Sequence, residues 1–245
     1  MINNYLTFMF YTGLLVWLYL YFVKTPFFAY RYIKSEQNDV FAKYENSRVQ
    51  EILISSFPIA GLLLLLKLFW YDLISIPSES MLPAFPVGAS AIVDKTEYGV
   101  RSPLTGMPMS KGRYPFYGEA VITKFPLNPE ILYIKRVIGL PGDTISMSEK
   151  GIVINGILHP FKFVEIRTLN IQGEDIAHDI YEVNFEGKSV LYAVNPSKGI
   201  SNLKEVFIEK DMFFLLGDNL TASSDSRNFG PIPWHYFVGS VLGNK

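Results

Sequence analysis

The chain is organised around Ser75-Ile76-Pro77-Ser78-Glu79-Ser80-Met81-Leu82-Pro83, a short segment that begins a few residues after a long apolar run ends. Its two prolines restrict the backbone on either side, so the serines between them are held in a defined, extended geometry. A serine hydroxyl becomes a good nucleophile only when a positioned base removes its proton. By itself the segment is more typical of a polar turn after a membrane helix, so its function depends on what else the chain carries.

The composition excludes several classes of function. The 245 residues carry a formal net charge of −1 and no long basic tract, which argues against nucleic acid as a partner. The absence of cysteine excludes disulfides, thiol catalysis and cysteine-ligated metal. The three histidines are too scattered to predict a metal cluster, and we expect neither a metal nor a cofactor. Aromatic residues make up 15% of the chain, which suits a protein that contacts a bilayer.

Two apolar runs predict a membrane anchor over residues 1–75. The run 5–23 has no charged residue and has about the length needed to cross a bilayer core of roughly 30 Å. The run 52–71 ends in aromatic residues, which favours a second span over the alternative of a helix buried in a protein core. The loop 24–51 carries an excess of Lys and Arg, so we expect it in the cytoplasm and the rest of the chain outside.

From residue 76 onward, short apolar runs separated by Gly, Pro and Asn predict a β-rich extracytoplasmic domain over 76–245. Asn155-Gly156, flanked by isoleucines, predicts a hairpin. Residues 161–205 carry no motif that we can interpret, and we expect a lobe of the β-domain there. The predicted fold class is therefore mainly β, preceded by two transmembrane α-helices. The predicted strands are Ala89–Val93, Ala120–Phe125, Ile131–Ile138, Gly151–Leu158, Val190–Val194 and Met212–Leu216.

A second stretch, Tyr133-Ile134-Lys135-Arg136-Val137-Ile138-Gly139-Leu140-Pro141-Gly142-Asp143, supplies a candidate base. In a strand alternate residues share a face, so Lys135 lies beside Ile131 and Val137. Burial among such neighbours lowers a lysine pKa by up to roughly 3–5 units and leaves an amine that can take a serine proton. Arg136 points to the other face and stays protonated in proteins. For an isolated Lys-Arg pair, the alternative is an exposed strand with two solvated cations.

A third stretch, Gly217-Asp218-Asn219-Leu220-Thr221-Ala222-Ser223-Ser224-Asp225-Ser226-Arg227, is polar and follows an apolar strand; alone, it is equally typical of a solvated loop. In this order and at this spacing, the three stretches resemble the type I signal peptidases, membrane-bound serine–lysine proteases that remove signal peptides. The resemblance implies that Ser80 is the nucleophile and Lys135 the general base. It also implies an oxyanion site made of the Ser80 backbone N–H and the Ser78 hydroxyl.

The same resemblance implies supporting roles for other residues. Ser223 is expected to form a hydrogen bond with the lysine amine, and Asp225 and Arg227 to form an ion pair that holds the loop in place. Shallow substrate pockets would accept the small residues that precede the cleavage site. The candidates to line them are Ile76, Pro77, Met81, Phe85, Tyr133 and Ile134, each of which could instead belong to the core.

The implied function is that of a membrane-bound serine endopeptidase with a Ser/Lys dyad, which cleaves N-terminal signal peptides from exported preproteins. We expect it in the bacterial cytoplasmic membrane, with the catalytic domain on the periplasmic side. The expected partners are signal peptides and the lipid bilayer, with the secretion translocon as a further candidate. Two alternatives stay open. One is a dedicated peptidase of the same fold in a secretion or conjugation apparatus; the other is a non-catalytic, membrane-tethered β-domain that binds extended peptides along a strand edge.

Overall fold

The computed structural model describes residues 61–63, 67–100, 109–171 and 173–242. The chain divides between Leu68 and Phe69 into two units, and every strand given below belongs to the second. The predicted helix 5–23 and loop 24–51 lie outside the described residues, as do residues 52–60 and 64–66 of the predicted second helix. Among the described residues, no helix has the length and apolar character needed to cross a membrane.

The end of the predicted second helix differs from the structure. Residues 61–63 and 67–69 are helical, whereas Tyr71 begins a strand and pairs with Asp94 of the next strand. The predicted boundary at 71 is therefore wrong at that residue. The cause is that the apolar and aromatic residues of the helix continue directly into an edge strand, with no turn signal between them.

The second unit is mainly β, as the sequence predicts. The runs Ala120–Phe125 and Met212–Leu216 form strands with the predicted bounds. The fourteen strands of the described chain are β1 (Tyr71–Ser75), β2 (Ser90–Asp94), β3 (Ala120–Phe125), β4 (Asn128–Gly139), β5 (Thr144–Ser148), β6 (Gly151–Ile154), β7 (Ile157–Pro160), β8 (Lys162–Ile171), β9 (Glu174–Phe185), β10 (Lys188–Val194), β11 (Leu203–Phe207), β12 (Met212–Leu216), β13 (Ile232–Pro233) and β14 (Phe237–Val241). The described part of the second unit also contains one short helix and two 3-10 turns. These are α1 (Ser226–Phe229) and the turns Glu79–Met81 and Trp234–Tyr236.

These strands form three sheets. The largest has the order β1-β2-β14-β3-β4-β12-β13, and the others have the orders β11-β5-β6-β7 and β10-β9-β8. The predicted hairpin joins β6 to β7 through Asn155 and Gly156, whose φ angles are 51° and 80°. Two successive positive φ angles are what the tight hairpin turn requires, and Asn-Gly adopts them at low cost.

One core joins the three sheets. Ile138 of β4, Ile152 of β6, Phe185 of β9 and Tyr192 of β10 are fully buried in the same hydrophobic cluster. The predicted lobe 161–205 contains β8, β9, β10 and the start of β11. Since Phe185 and Tyr192 belong to it, this lobe packs into the common core through its large side chains.

Strand β4 lies inside the large sheet, between β3 and β12. Its partner β3 runs alongside it from Ala120 to Phe125, but β12 pairs with it only at Arg136, Val137 and Gly139. In the preceding part of β4, one edge therefore carries no strand of the described chain. This half-open segment of β4 ends at Lys135.

Candidate active site

Ser80 is held by a short turn rather than by a regular element. The residue before the 3-10 turn Glu79–Met81 is Ser78, whose backbone is extended with φ −130° and ψ 157°. Upstream, Ile76 exchanges backbone hydrogen bonds with the loop before β2, donating to Ala89 O at 2.9 Å and accepting from Gly88 N at 2.8 Å. The extended backbone expected for the serines between the two prolines is found at Ser78 but not at Ser80, because Ser80 lies within the 3-10 turn. This turn holds Ser80 in a buried position, where the residue is 8% exposed.

Lys135 lies directly against this serine. Its Nζ donates a hydrogen bond of 2.8 Å to Ser80 Oγ, although the two residues are 55 positions apart in the chain. The residue is 3% exposed, and Nζ lies 5.0 Å from the centroid of the Tyr133 ring. The first and second stretches therefore meet at the pair of side chains that the sequence singled out.

Burial of Lys135 favours its neutral amine. Burial lowers the pKa of Lys135 from its ordinary value of 10.5 to about 8. The carboxylates of Asp225 and Asp218 partly oppose this change because they stabilise the ammonium, whereas Arg227 acts in the same direction as burial. A lysine with such a pKa is partly unprotonated near neutral pH, as a general base must be.

The hydroxyl of Ser78 lies beside that of Ser80. Its Oγ is 3.2 Å from Ser80 Oγ. The N–H of Ser80 belongs to the first turn of a three-residue 3-10 helix, where the leading N–H groups have no partner within the helix. Ser80 N–H and Ser78 Oγ–H are therefore two donors close to the carbon that Ser80 would attack.

The third stretch begins with a sharp turn against Ser80. The N–H of Asn219 donates to Ser80 O at 3.0 Å. On the other side the turn pairs with β10, because Ala193 N donates to Asp218 O at 2.8 Å and Leu220 N donates to Ala193 O at 2.9 Å. The lobe 161–205, which lacks any interpretable motif, thus supports the loop that contacts the serine.

The ion pair expected between Asp225 and Arg227 is present. Arg227 donates from Nε and Nη2 to the two carboxylate oxygens of Asp225, each at 2.8 Å. Asp225 also caps α1 and accepts a hydrogen bond of 3.0 Å from Gly217 N. This buried carboxylate therefore joins both ends of the loop 217–227.

Ser223 differs from the expectation. Its Oγ is buried and has no hydrogen-bond partner among the described residues, so the predicted hydrogen bond to Lys135 is absent. Ser223 Oγ packs against Gly217 instead, and it would lie only 2.1 Å from a Cβ atom built on that glycine. Lys135 instead directs Nζ to Ser80.

A buried ion pair that the sequence did not reveal lies behind Lys135. Arg136 donates to the two carboxylate oxygens of Asp218 at 2.7 and 2.6 Å and to Gly118 O at 2.6 Å. Neither side chain is more than 3% exposed. Because Arg136 follows Lys135 in β4 and Asp218 lies in the turn that contacts Ser80, this pair fixes the second stretch against the third. The signal available in the sequence was only an acidic residue in one motif and a basic one in another.

A cleft of about 350 Å³ runs along the half-open segment of β4 and ends at Ser80 and Lys135. Of the predicted pocket residues, Phe85 does not line it, because its ring is buried in the core beneath with Val93 and Ile122. Residues not foreseen in the lining are Ile74, Ser75, Ile131, Leu132, Ala222 and Ser224. The predicted residues that do line it are Ile76, Pro77, Met81, Tyr133 and Ile134.

This arrangement can support acyl transfer. A hydroxyl, a partly unprotonated amine and two hydrogen-bond donors meet at one end of an apolar cleft, beside a strand edge that can accept an extended peptide. Among the described residues, no group of three or more His, Asp or Glu side chains could hold a metal ion.

Comparisons with known proteins find similarity to signal peptidases. The family described as signal peptidase, peptidase S26, matches residues 49–242. A signal peptidase I of Buchnera aphidicola is 26% identical over 241 residues, which cover 81% of this chain and 77% of the relative. A signal peptidase I of Pseudomonas aeruginosa is 31% identical over 179 residues, which cover 71% of this chain and 60% of the relative. The solved signal peptidase I of Enterococcus faecalis is 21% identical with a TM-score of 0.33, covering 52% of this chain and 97% of its own.

Proposed function

The chain belongs to the S26 family of signal peptidases, and from this membership we propose that it cleaves signal peptides with Ser80 as nucleophile and Lys135 as general base. The family predicted from the three stretches is thereby confirmed, and the chain is a peptidase of this family. The hydrogen bond of 2.8 Å between the buried Lys135 Nζ and Ser80 Oγ carries the assignment of the dyad.

The proposed reaction begins when a preprotein segment lies extended along the half-open part of β4. The neutral amine of Lys135 takes the proton of Ser80 Oγ, and the oxygen attacks the carbonyl carbon of the scissile bond. The developing oxyanion is stabilised by Ser80 N–H and by Ser78 Oγ–H, which turns from Ser80 Oγ to the substrate oxygen. The ammonium of Lys135 then protonates the leaving amine, which departs as the new N-terminus and leaves an ester on Ser80.

The second half of the proposed reaction repeats these steps with water. Lys135, again neutral, takes a proton from a water molecule that attacks the ester carbonyl. The tetrahedral intermediate collapses, Ser80 Oγ recovers a proton from Lys135, and the cleaved signal peptide leaves with a free carboxylate. One amine thus serves as base and acid in both halves, which requires a pKa near the working pH.

We also propose that two helices, 5–23 and 52–70, anchor the enzyme in the cytoplasmic membrane. The uncharged run of the first and the aromatic end of the second support this proposal. The basic loop 24–51 would lie in the cytoplasm and the catalytic domain outside it. The catalytic domain would then meet preproteins as they emerge from the secretion translocon, its candidate partner.

The test uses the full chain in detergent and a preprotein with Ala-x-Ala before its cleavage site. Wild type and Ser90→Ala, which alters an exposed serine of β2, should release the mature protein at the same rate. Ser80→Ala should release none, while Ser78→Ala should be slower by about 10²-fold because one of two oxyanion donors is lost. Cleavage by Ser80→Ala would overturn the assignment of the nucleophile. Binding without cleavage by the wild type would instead favour the non-catalytic peptide-binding domain.

A further inference from the structure

A second cavity lies behind the loop that carries Ser223. It has a volume of about 350 Å³, and neither Ser80 nor Lys135 is among the residues that line it. Within the loop, Ser223 lines this cavity, whereas its neighbours Ala222 and Ser224 line the catalytic cleft. We call this cavity the rear pocket; the lining residues that matter here are Lys198, Ser201, Asn202, Ser223, Arg227 and Asn228.

The rear pocket offers hydrogen-bond donors and positive charge. No carboxylate is among its described lining residues, which include two cations, Lys198 and Arg227. The Lys198 ammonium makes no ion pair with any residue that the structure describes. Arg227 binds Asp225 through Nε and Nη2 only, which leaves Nη1 as a donor.

The neutral residues of the lining point to the same chemistry. The Asn228 side-chain oxygen accepts a hydrogen bond from Asp225 N, so its amide nitrogen remains available as a donor. Ser201 and Asn202 are exposed and add a hydroxyl and an amide. The carboxylate that pairs with Arg227 is that of Asp225, which is fully buried and also accepts a hydrogen bond from Gly217 N.

We propose that the rear pocket binds a small oxyanion of the phosphate class, held between Lys198 and Arg227. Guanidinium and ammonium groups form charge-assisted hydrogen bonds with phosphate oxygens, and the amide and hydroxyl groups satisfy the oxygens that remain. Two sources share this chemistry, namely free phosphate and the phosphate of a phospholipid headgroup.

An anion in the rear pocket would affect Ser80 and Lys135 through Arg227. The charged groups that act on Lys135 are the carboxylates of Asp225 and Asp218 and the guanidinium of Arg227. Of these, Arg227 favours the neutral amine, so an anion bound to it would weaken that effect and raise the pKa of Lys135. This consequence, unlike the binding itself, rests on the proposed role of Lys135. The bound anion would act as an inhibitor at pH values below the pKa of the base.

The binding test is calorimetric titration of the full chain in detergent with inorganic phosphate, in the Ser80→Ala background so that activity plays no part. We expect a dissociation constant of about 1 mM or lower. Lys198→Gln removes a cation from the pocket, and Asn202→Asp adds an anion to it. Each variant should therefore weaken phosphate binding by about tenfold or more. Lys150→Gln removes an equally exposed cation from the β5–β6 turn and should bind like the parent. No binding by the parent, or equal binding by all four proteins, would overturn the proposal.

Separate measurements identify the source of the bound oxyanion and test whether its binding changes the pKa of Lys135. If dihexanoylphosphatidylglycerol below its micelle concentration competes with phosphate, the site is assigned to lipid headgroups. If phosphate binds and the lipid does not compete, the site is assigned to free anions. Either result supports the oxyanion site. In the active enzyme, kcat/KM should fall on the low-pH side, where Lys135 is protonated. Saturating phosphate should move this limb of the pH profile to higher pH by about 0.3 units, which lowers kcat/KM about twofold along it. Lys198→Gln should not show the shift, and Lys150→Gln should. A limb that shifts equally in both variants would show that phosphate acts elsewhere.

Discussion

The N–H of Asn219 donates a hydrogen bond of 3.0 Å to the carbonyl oxygen of Ser80. This contact joins two residues that are far apart in the chain, and it fixes the backbone of Ser80 at its carbonyl group. Gly217 lies against the same carbonyl, since a Cβ atom built there would be 2.5 Å from Ser80 O. The position of Ser80 is therefore set by its own short turn and by a loop that begins with a glycine.

We expect Gly217→Ala to reduce kcat/KM by about 10²-fold, because a displacement of about 1 Å at a reacting group has an effect of that size. The added methyl group would lie 2.1 Å from Ser223 Oγ and 2.5 Å from Ser80 O. Adding Ser223→Gly removes the contacts with Ser223 but keeps the one with Ser80 O, so the double variant should recover part of the activity. Preprotein cleavage assays measure both, with circular dichroism as the folding control. Wild-type activity in Gly217→Ala would show that the close packing at this turn is not needed.

Specificity should be strict at the positions one and three residues before the cut. An extended substrate beside β4 sends alternate side chains into the cleft, whose volume of about 350 Å³ is shared among all of them. A phenylalanine at either position should block cleavage, whereas one at the position between them should be tolerated. Competition among three preprotein variants measures this. Equal rates for all three would contradict an alternating arrangement of the substrate.

The buried pair of Arg136 and Asp218 should matter for stability. Asp218→Asn leaves the guanidinium buried opposite a neutral amide, and the loss of one partner of a buried ion pair costs about 3–5 kcal/mol. Glu165→Gln is the matched control. Its ion pair with Arg167 is nearly half exposed, and such pairs contribute about 1 kcal/mol or less. Urea unfolding of the full chain in detergent, followed by tryptophan fluorescence, compares the two. Similar midpoints for both variants would mean that the buried pair does not stabilise the fold.

The proposed membrane topology rests on the basic loop 24–51. With that loop in the cytoplasm, protease added to intact spheroplasts should degrade the catalytic domain. A cytoplasmic reporter protein serves as the control for intact membranes. Protection of the catalytic domain until the membrane is opened would reverse the predicted orientation.

Local patterns were sufficient for much of the fold. Alternating apolar runs predicted β3 and β12 with their bounds, and the Asn155-Gly156 turn predicted the hairpin between β6 and β7. Residues 161–205 could be foreseen only as a mixture of strands and turns. Their arrangement depends on long-range contacts such as the packing of Tyr192 into the common core, which no local pattern encodes.

The site shows the same division between local and long-range information. The meeting of Ser80 and Lys135 was predicted from the resemblance of the motifs to a family, since spacing alone does not bring residues 55 positions apart together. Burial of Arg136 was missed because its partner lies 82 positions away. Phe85 and Ser223 were misjudged because a motif gives the residue type but not the direction in which its side chain packs.

The pH dependence of catalysis gives the sharpest test of the dyad. Burial lowers the pKa of Lys135 to about 8, and only the neutral amine can take the proton of Ser80. The base is therefore inactive when protonated. The pH profile of kcat/KM should have a limb that falls by about tenfold per pH unit below the pKa of Lys135, and a plateau above that pKa. An exposed lysine, with a reference pKa of about 10.4, would still be almost fully charged at the pH values over which Lys135 loses its proton.

Substitutions at Lys135 should remove this limb together with the activity. Lys135→Arg keeps the positive charge but cannot lose its proton, so it should be as inactive as Lys135→Ala, even though the two differ in charge and size. Lys124→Arg makes the same exchange at an exposed position of β3 and should keep both the rate and the limb of the wild type. The decisive measurement is kcat/KM between about pH 6 and 10 for these four proteins. An active Lys135→Arg variant with an unchanged limb would show that another group takes the serine proton, and the short distance between Lys135 Nζ and Ser80 Oγ would then reflect packing alone.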